Sequence, residues 1–107
     1  MDYTNKRRHP RLPVLVECRL DGASGRHEMR MTDLSPTGCF VDTSMSFPEG
    51  TQVTLYAQLG GGEVALPGRV VPVKTGGFGF GIEFVDLDEG SKKQLDNYIQ
   101  QERRSAR

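Results

Sequence analysis

At 107 residues, with 36% hydrophobic and 26% charged side chains, the chain holds enough apolar material for one small core and too much for a disordered segment. Its formal net charge is zero, yet residues 1–11 and 92–107 each carry +3 and the residues between them −6. An acidic body disfavours long nucleic acid, whose affinity comes from neutralising many phosphates at once, and leaves room for a compact anion held at one basic end.

Near the start of the chain stands Lys6-Arg7-Arg8-His9-Pro10-Arg11. Pro10 and Pro13 keep His9 and Leu12 out of helical geometry, so residues 1–12 are expected to form an extended, flexible arm. Turn signals follow at Asp21-Gly22, Ser35-Pro36-Thr37-Gly38, Phe47-Pro48-Glu49-Gly50, Gly60-Gly61-Gly62 and Gly76-Gly77. Between them apolar residues alternate with polar ones at period two, the mark of half-buried strands. Val14, Val16, Cys18 and Leu20 share one face, Val53, Leu55, Ala57 and Leu59 another, and Phe78, Phe80, Ile82 and Phe84 a third.

Strands are predicted near 13–21, 26–34, 38–43, 51–59, 63–74 and 78–85. Six short strands with glycine turns indicate an all-β fold, a small antiparallel barrel whose closure removes unpaired edges. Pro67 and Pro72 predict a bend or an edge position in the fifth strand. Asp86 with Glu89 resembles a capping box, and Leu95, Tyr98 and Ile99 fall at helical spacing, so a C-terminal helix of about three to four turns is expected. The domain is placed at residues 13–101 and a disordered basic tail at 102–107.

Catalytic signals are weak. His9 and His27 have no nucleophile beside them, and the acidic residues form no pair that shares a site. Gly60-Gly61-Gly62 lacks the Lys and Ser/Thr of a phosphate loop, and Gly77-Phe78-Gly79-Phe80-Gly81 opens no helix. No catalytic residue, metal site or cofactor is expected. Cys18 and Cys39 are too few for a disulfide scaffold and read as reduced core thiols. No apolar run reaches bilayer length and residues 1–6 lead into polar sequence, so membrane insertion is not expected and the cytoplasm is the expected compartment. Five Phe, three Tyr and no Trp leave little for a single-stranded nucleic acid platform.

Two features stand apart. Arg7 and Arg11, with Lys6 and Arg8 beside them, suit forked bonding to phosphate or to the O6/N7 edge of guanine; the same run also reads as a solvated basic tail. Asp33-Leu34-Ser35-Pro36-Thr37-Gly38 ends one strand and starts the next, which places Asp33 and Ser35 at the surface. The carboxylate suits guanine's N1 and N2 donors and the hydroxyl a base or phosphate. Taken alone it reads better as an ordinary turn, with Asp33 bonded to its own backbone and Gly38 supplying an unusual dihedral.

In this order, RxxxR (Arg7 to Arg11) followed by D/NxSxxG (Asp33 to Gly38) resembles the PilZ domain, the bacterial receptor module for cyclic di-GMP. Gly81-Ile82-Glu83-Phe84 is similar to that family's last strand, and the resemblance runs over about residues 5–101. It implies a six-stranded antiparallel β-barrel with a C-terminal α-helix and cyclic di-GMP on the outer surface. Arg7 and Arg11 would grip guanine and phosphate, Asp33 and Ser35 the guanine edge, and Gly38 would shape the turn. Lys6 stands where a basic residue accompanies two stacked ligands in the family, although lysine neither forks nor stacks as arginine does. Several relatives carry a large side chain after the Val-Val of the fifth strand; this chain has Val70-Val71-Pro72. The resemblance further implies a downstream protein partner, or alternatively an adaptor that binds no nucleotide.

Overall fold

Each alternating segment has one apolar face to bury, and the only way for six short strands to bury theirs without leaving edges is to close on themselves. The computed structural model, which describes residues 11–72 and 78–105, is a closed antiparallel barrel. Its strands are β1 (Leu12–Gly22), β2 (Gly25–Ser35), β3 (Gly38–Asp42), β4 (Gln52–Leu59), β5 (Gly62–Val71) and β6 (Phe80–Phe84), followed by one helix, α1 (Glu89–Ser105). Around the barrel the order is β1-β2-β3-β6-β5-β4, and β4 returns to β1 through Cys18–Ala57 and Leu20–Leu55. Residues 1–10, with Lys6, Arg7 and Arg8, the 73–74 end of the expected fifth strand, and residues 106–107 lie outside the described residues. No described helix is long and apolar enough to cross a membrane.

The interior is filled by fully buried side chains from all six strands, among them Leu20, Met31, Val41, Leu55, Leu66 and Ile82. Each contributes about 1.5–3 kcal/mol by leaving water. The two ends are sealed differently. At the end where β4 turns into β5, α1 presses Leu95 and Ile99 onto the core, and the Gln94 side-chain amide donates to the carbonyls of Leu59 (3.2 Å) and Gly62 (3.1 Å). At the other end the β3–β4 loop folds Phe47 edge-on against Phe80 (5.3 Å between ring centres) and His27 (5.8 Å). His27 is half-buried there and shares a hydrogen bond with the Ser24 hydroxyl.

Four local expectations change. Phe78 is 77% exposed and lies outside β6, so the buried stripe of that strand starts at Phe80. Pro67 is neither bent out of β5 nor on an edge: it pairs opposite Thr54, and its carbonyl accepts from Val85 N at 2.8 Å. In an antiparallel strand a residue's N and C=O point to the same side. The missing N–H of Pro67 therefore falls just past the last β5–β6 ladder pair, Gly68–Phe84, where its loss removes a single bond.

The helix cap sits two residues beyond the expected Asp86. Asp88 Oδ1 accepts from Ser91 N at 2.7 Å while its carbonyl accepts from Lys92 N at 2.9 Å. The Ser91 backbone N–H holds the Asp88 carboxyl below its ordinary range, whereas Asp86 adopts a left-handed turn (φ 57°). The helix itself is 17 residues long and runs through Ser105, past position 102, where the sequence suggests a disordered tail. Arg103 and Arg104 in its last turn complement the negative end of the helix dipole.

Both cysteines are free and buried. Burial pushes the Cys18 thiol up to about 12, helped by the neighbouring Glu17 charge. Burial also pushes Cys39 well above its usual value. An unfolded thiol ionises near pH 8.5. Above that pH the native state retains protons that the unfolded state has lost, so stability falls as pH rises toward the folded values. Urea midpoints compared between neutral pH and about pH 10.5 should show this fall, and a Cys18→Ala/Cys39→Ala variant should show less of it. Ellman's reagent should label neither thiol until urea unfolds the chain.

Candidate functional site

Antiparallel order brings the start of β1, the β2–β3 turn and the end of β6 to the helix-sealed end of the barrel. Arg11, at the threshold of β1, meets Asp33 of β2: Arg11 Nη1 lies 2.7 Å from Asp33 Oδ1. Their side chains are 15% and 31% exposed, so solvent screens this pair less than the other ion pairs on the barrel wall. The last arginine of the first motif and the first residue of the second are thus in contact across 22 positions of sequence.

An irregularity in β2 decides which way Asp33 points. Simple alternation from Met29 and Met31, both buried, would carry Asp33 into the core. Instead Met31 pairs with Val41 and Asp33 with Phe40, which leaves Thr32 as an extra residue against β3. The bulge reverses the faces, so Leu34 is fully buried and Asp33 stands on the outer wall. Asp33 is flanked in register by Pro13 of β1 on one side and Phe40 of β3 on the other. The signal in the sequence is the odd spacing of Met31 and Leu34, two core residues three positions apart.

The turn after Asp33 is held by its own serine. Ser35 is only 3% exposed, a correction to its expected place at the surface. Its hydroxyl accepts from Thr37 N and donates to the Gly38 carbonyl, both at 3.3 Å. The Thr37 carbonyl in turn accepts from Phe84 N at 2.9 Å, which ties the turn to the end of β6. Gly38 is required by closeness, not by an unusual dihedral. Its φ is ordinary, but a Cβ there would lie 2.5 Å from the Ile82 carbonyl oxygen.

The structure therefore brings together Arg11, Asp33, Ser35 and Gly38, while Lys6, Arg7 and Arg8 lie outside the described residues. Elsewhere, an open groove of about 570 Å³ runs past Asp21, Thr54, Pro67, Arg69 and Asp86 and includes none of the four. No group of three His, Cys, Asp or Glu among the described residues is placed to hold a metal ion.

A closed six-stranded barrel sealed by a terminal helix, with an arginine–aspartate pair beside a buried Ser–Gly turn, defines a small β-barrel domain. The PilZ domain family model matches residues 5–101, and the chain belongs to that family. No curated protein matches it by sequence. Among solved structures it is similar to the PilZ domain of YcgR from Escherichia coli with c-di-GMP, at 19% identity and TM-score 0.74, covering 95% of each chain. It is also similar to the PilZ domain of CeSA from a cellulose-synthesizing bacterium, at 23% identity and TM-score 0.63, covering 82% of this chain and 92% of that one. The inhibitor of motility MotI/DgrA of Bacillus subtilis matches at 14% identity and TM-score 0.78 over 95% of this chain, which spans about half (53%) of that protein.

Substituting Gly38→Ala should force the β3–β6 backbones apart and lower stability by about 1–3 kcal/mol in urea denaturation. Ser35→Ala, which unties the turn without adding bulk, should cost about 1 kcal/mol in the same assay.

Proposed function

We propose that this chain is a receptor module for cyclic di-GMP. The observation that carries the reading is the Arg11–Asp33 contact on the outer wall, because it joins the two halves of the motif pair at one place. Membership of the PilZ family and likeness to PilZ domains solved with c-di-GMP support it. Asp33 accepts from the N1 and N2 donors of guanine. A carboxylate offers about four lone-pair sites, and Arg11 takes a position on Oδ1, so Asp33 can hold the arginine and the base together. Arg11 and Arg7 bond phosphate or the O6/N7 edge, with Lys6 and Arg8 adding positive charge. Four residues of chain reach at most about 14 Å, which keeps Arg7 within range of a ligand seated on Arg11. Ser35 and Gly38 act by holding the turn that presents Asp33.

Each arginine–phosphate contact has a gross attraction of about 4 kcal/mol at an effective dielectric near 20, most of it offset by desolvation and ordering. Several contacts with base stacking leave roughly −8 kcal/mol, a micromolar site. Binding draws the arm that precedes Arg11 over the ligand and so presents a changed surface to a protein partner in the cytoplasm; the module itself catalyses nothing.

Calorimetry with cyclic di-GMP against GMP and GTP tests the reading: binding should be selective and micromolar, and its stoichiometry reports whether Lys6 admits a second ligand. Arg7→Ala or Arg11→Ala should each weaken binding by about 2–4 kcal/mol. Unchanged affinity in both variants would reject the residue assignment. A wild-type chain with no measurable affinity would favour the adaptor.

A further inference from the structure

The outer wall beside Asp33 carries an aromatic ring that neither motif includes. Ladder partners place Pro13, Asp33, Phe40, Gly81 and Val71 in one row across β1, β2, β3, β6 and β5. Phe40 lies between two fully buried neighbours, Cys39 and Val41, and is itself half-buried, so its ring belongs to the outer face. The strand beside it is bare directly opposite the ring. Gly81, its partner in β6, has no side chain, and a Cβ at Gly79 would come within 2.8 Å of Phe40 Cε2 and Cζ. The ring lies against glycine backbone, with the ion-paired carboxylate of Asp33 as its next neighbour on β2.

We propose that Phe40 is the stacking platform for the purine whose edge Asp33 holds, an inference that rests on the receptor reading above. Directly opposed residues in a ladder have Cβ atoms about 4.5–5.5 Å apart. A planar base bonded through its edge to Asp33 therefore has its ring within the 4.5–7 Å range (roughly) at which aromatic planes stack on Phe40. Stacking recognises the π-face of any base, while the carboxylate selects guanine by its N1 and N2 donors. The pair thus separates affinity from selectivity: Phe40 supplies contact area, Asp33 the discrimination.

The chain has no tryptophan, so a Phe40→Trp variant carries a single indole reporter at this position. Its fluorescence should be quenched by cyclic di-GMP, saturably and with the affinity that calorimetry gives for the wild type within about threefold. Phe40→Leu, which keeps an apolar side chain over the glycine strand, should bind roughly tenfold or more weakly while unfolding at an unchanged urea midpoint. Its preference for cyclic di-GMP over a cyclic di-AMP control should persist, whereas Asp33→Ala should erode that preference. Wild-type affinity in Phe40→Leu together with an unquenched indole overturns the platform and leaves the receptor reading standing. A wild-type chain that fails to bind cyclic di-GMP overturns both.

Discussion

The return of β4 to β1 is the constraint on which the rest of the molecule depends. Once Cys18 and Leu20 pair with Ala57 and Leu55, no strand has a free edge and every side chain is assigned to the interior or the wall. A one-residue slip anywhere in such a sheet would send a whole apolar set to solvent, so register is strongly specified. The two places where register does shift, between Pro13 and Val16 and at Thr32, both flank Asp33. Departures from the regular ladder are thus concentrated beside the charged pair.

That concentration explains how a strand residue flanked by core positions comes to stand on the outer wall. The bulge turns the Asp33 carboxylate outward, and Arg11 meets it before β1 begins. Ser35, two residues on, is turned the other way and closes the hairpin, so the two polar residues of one short motif do different work. Gly38 and Gly79 serve the same region by removing bulk: one lets β6 approach the turn, the other leaves Phe40 lying on bare backbone. Carboxylate, guanidinium and ring are presented by three separate chain segments, and the barrel makes them neighbours.

The particular departures from expectation share one cause. Phe78 continues the alternation of Phe80 and Ile82, but β6 begins only where β3 and β5 are present to pair with it, so Phe78 is left in solvent. Pro67 looks like a strand breaker until its missing donor is found to lie beyond the β6 ladder. Asp86 and Asp88 both suit a helix start, and Asp88 becomes the cap because the left-handed turn at Asp86 first redirects the chain from the barrel wall. In each case the deciding neighbour is distant in sequence.

Much of the fold and the identities of Arg11, Asp33, Ser35 and Gly38, though not their placement, were legible in the residues alone. Period-two apolar faces on Val53 to Leu59 and Val14 to Leu20, with glycine turns between them, pointed to an antiparallel barrel, because closure buries such faces and leaves no edge unpaired. The order of RxxxR and DxSxxG determined the family and named Arg11 and Asp33. Only the tertiary structure decided that Thr32 bulges, that Asp33 is thereby seated against Arg11 and beside Phe40, and that Ser35 is enclosed. Those outcomes depend on which residues oppose each other across strands, and closure of the whole sheet, not any local run of sequence, sets that pairing.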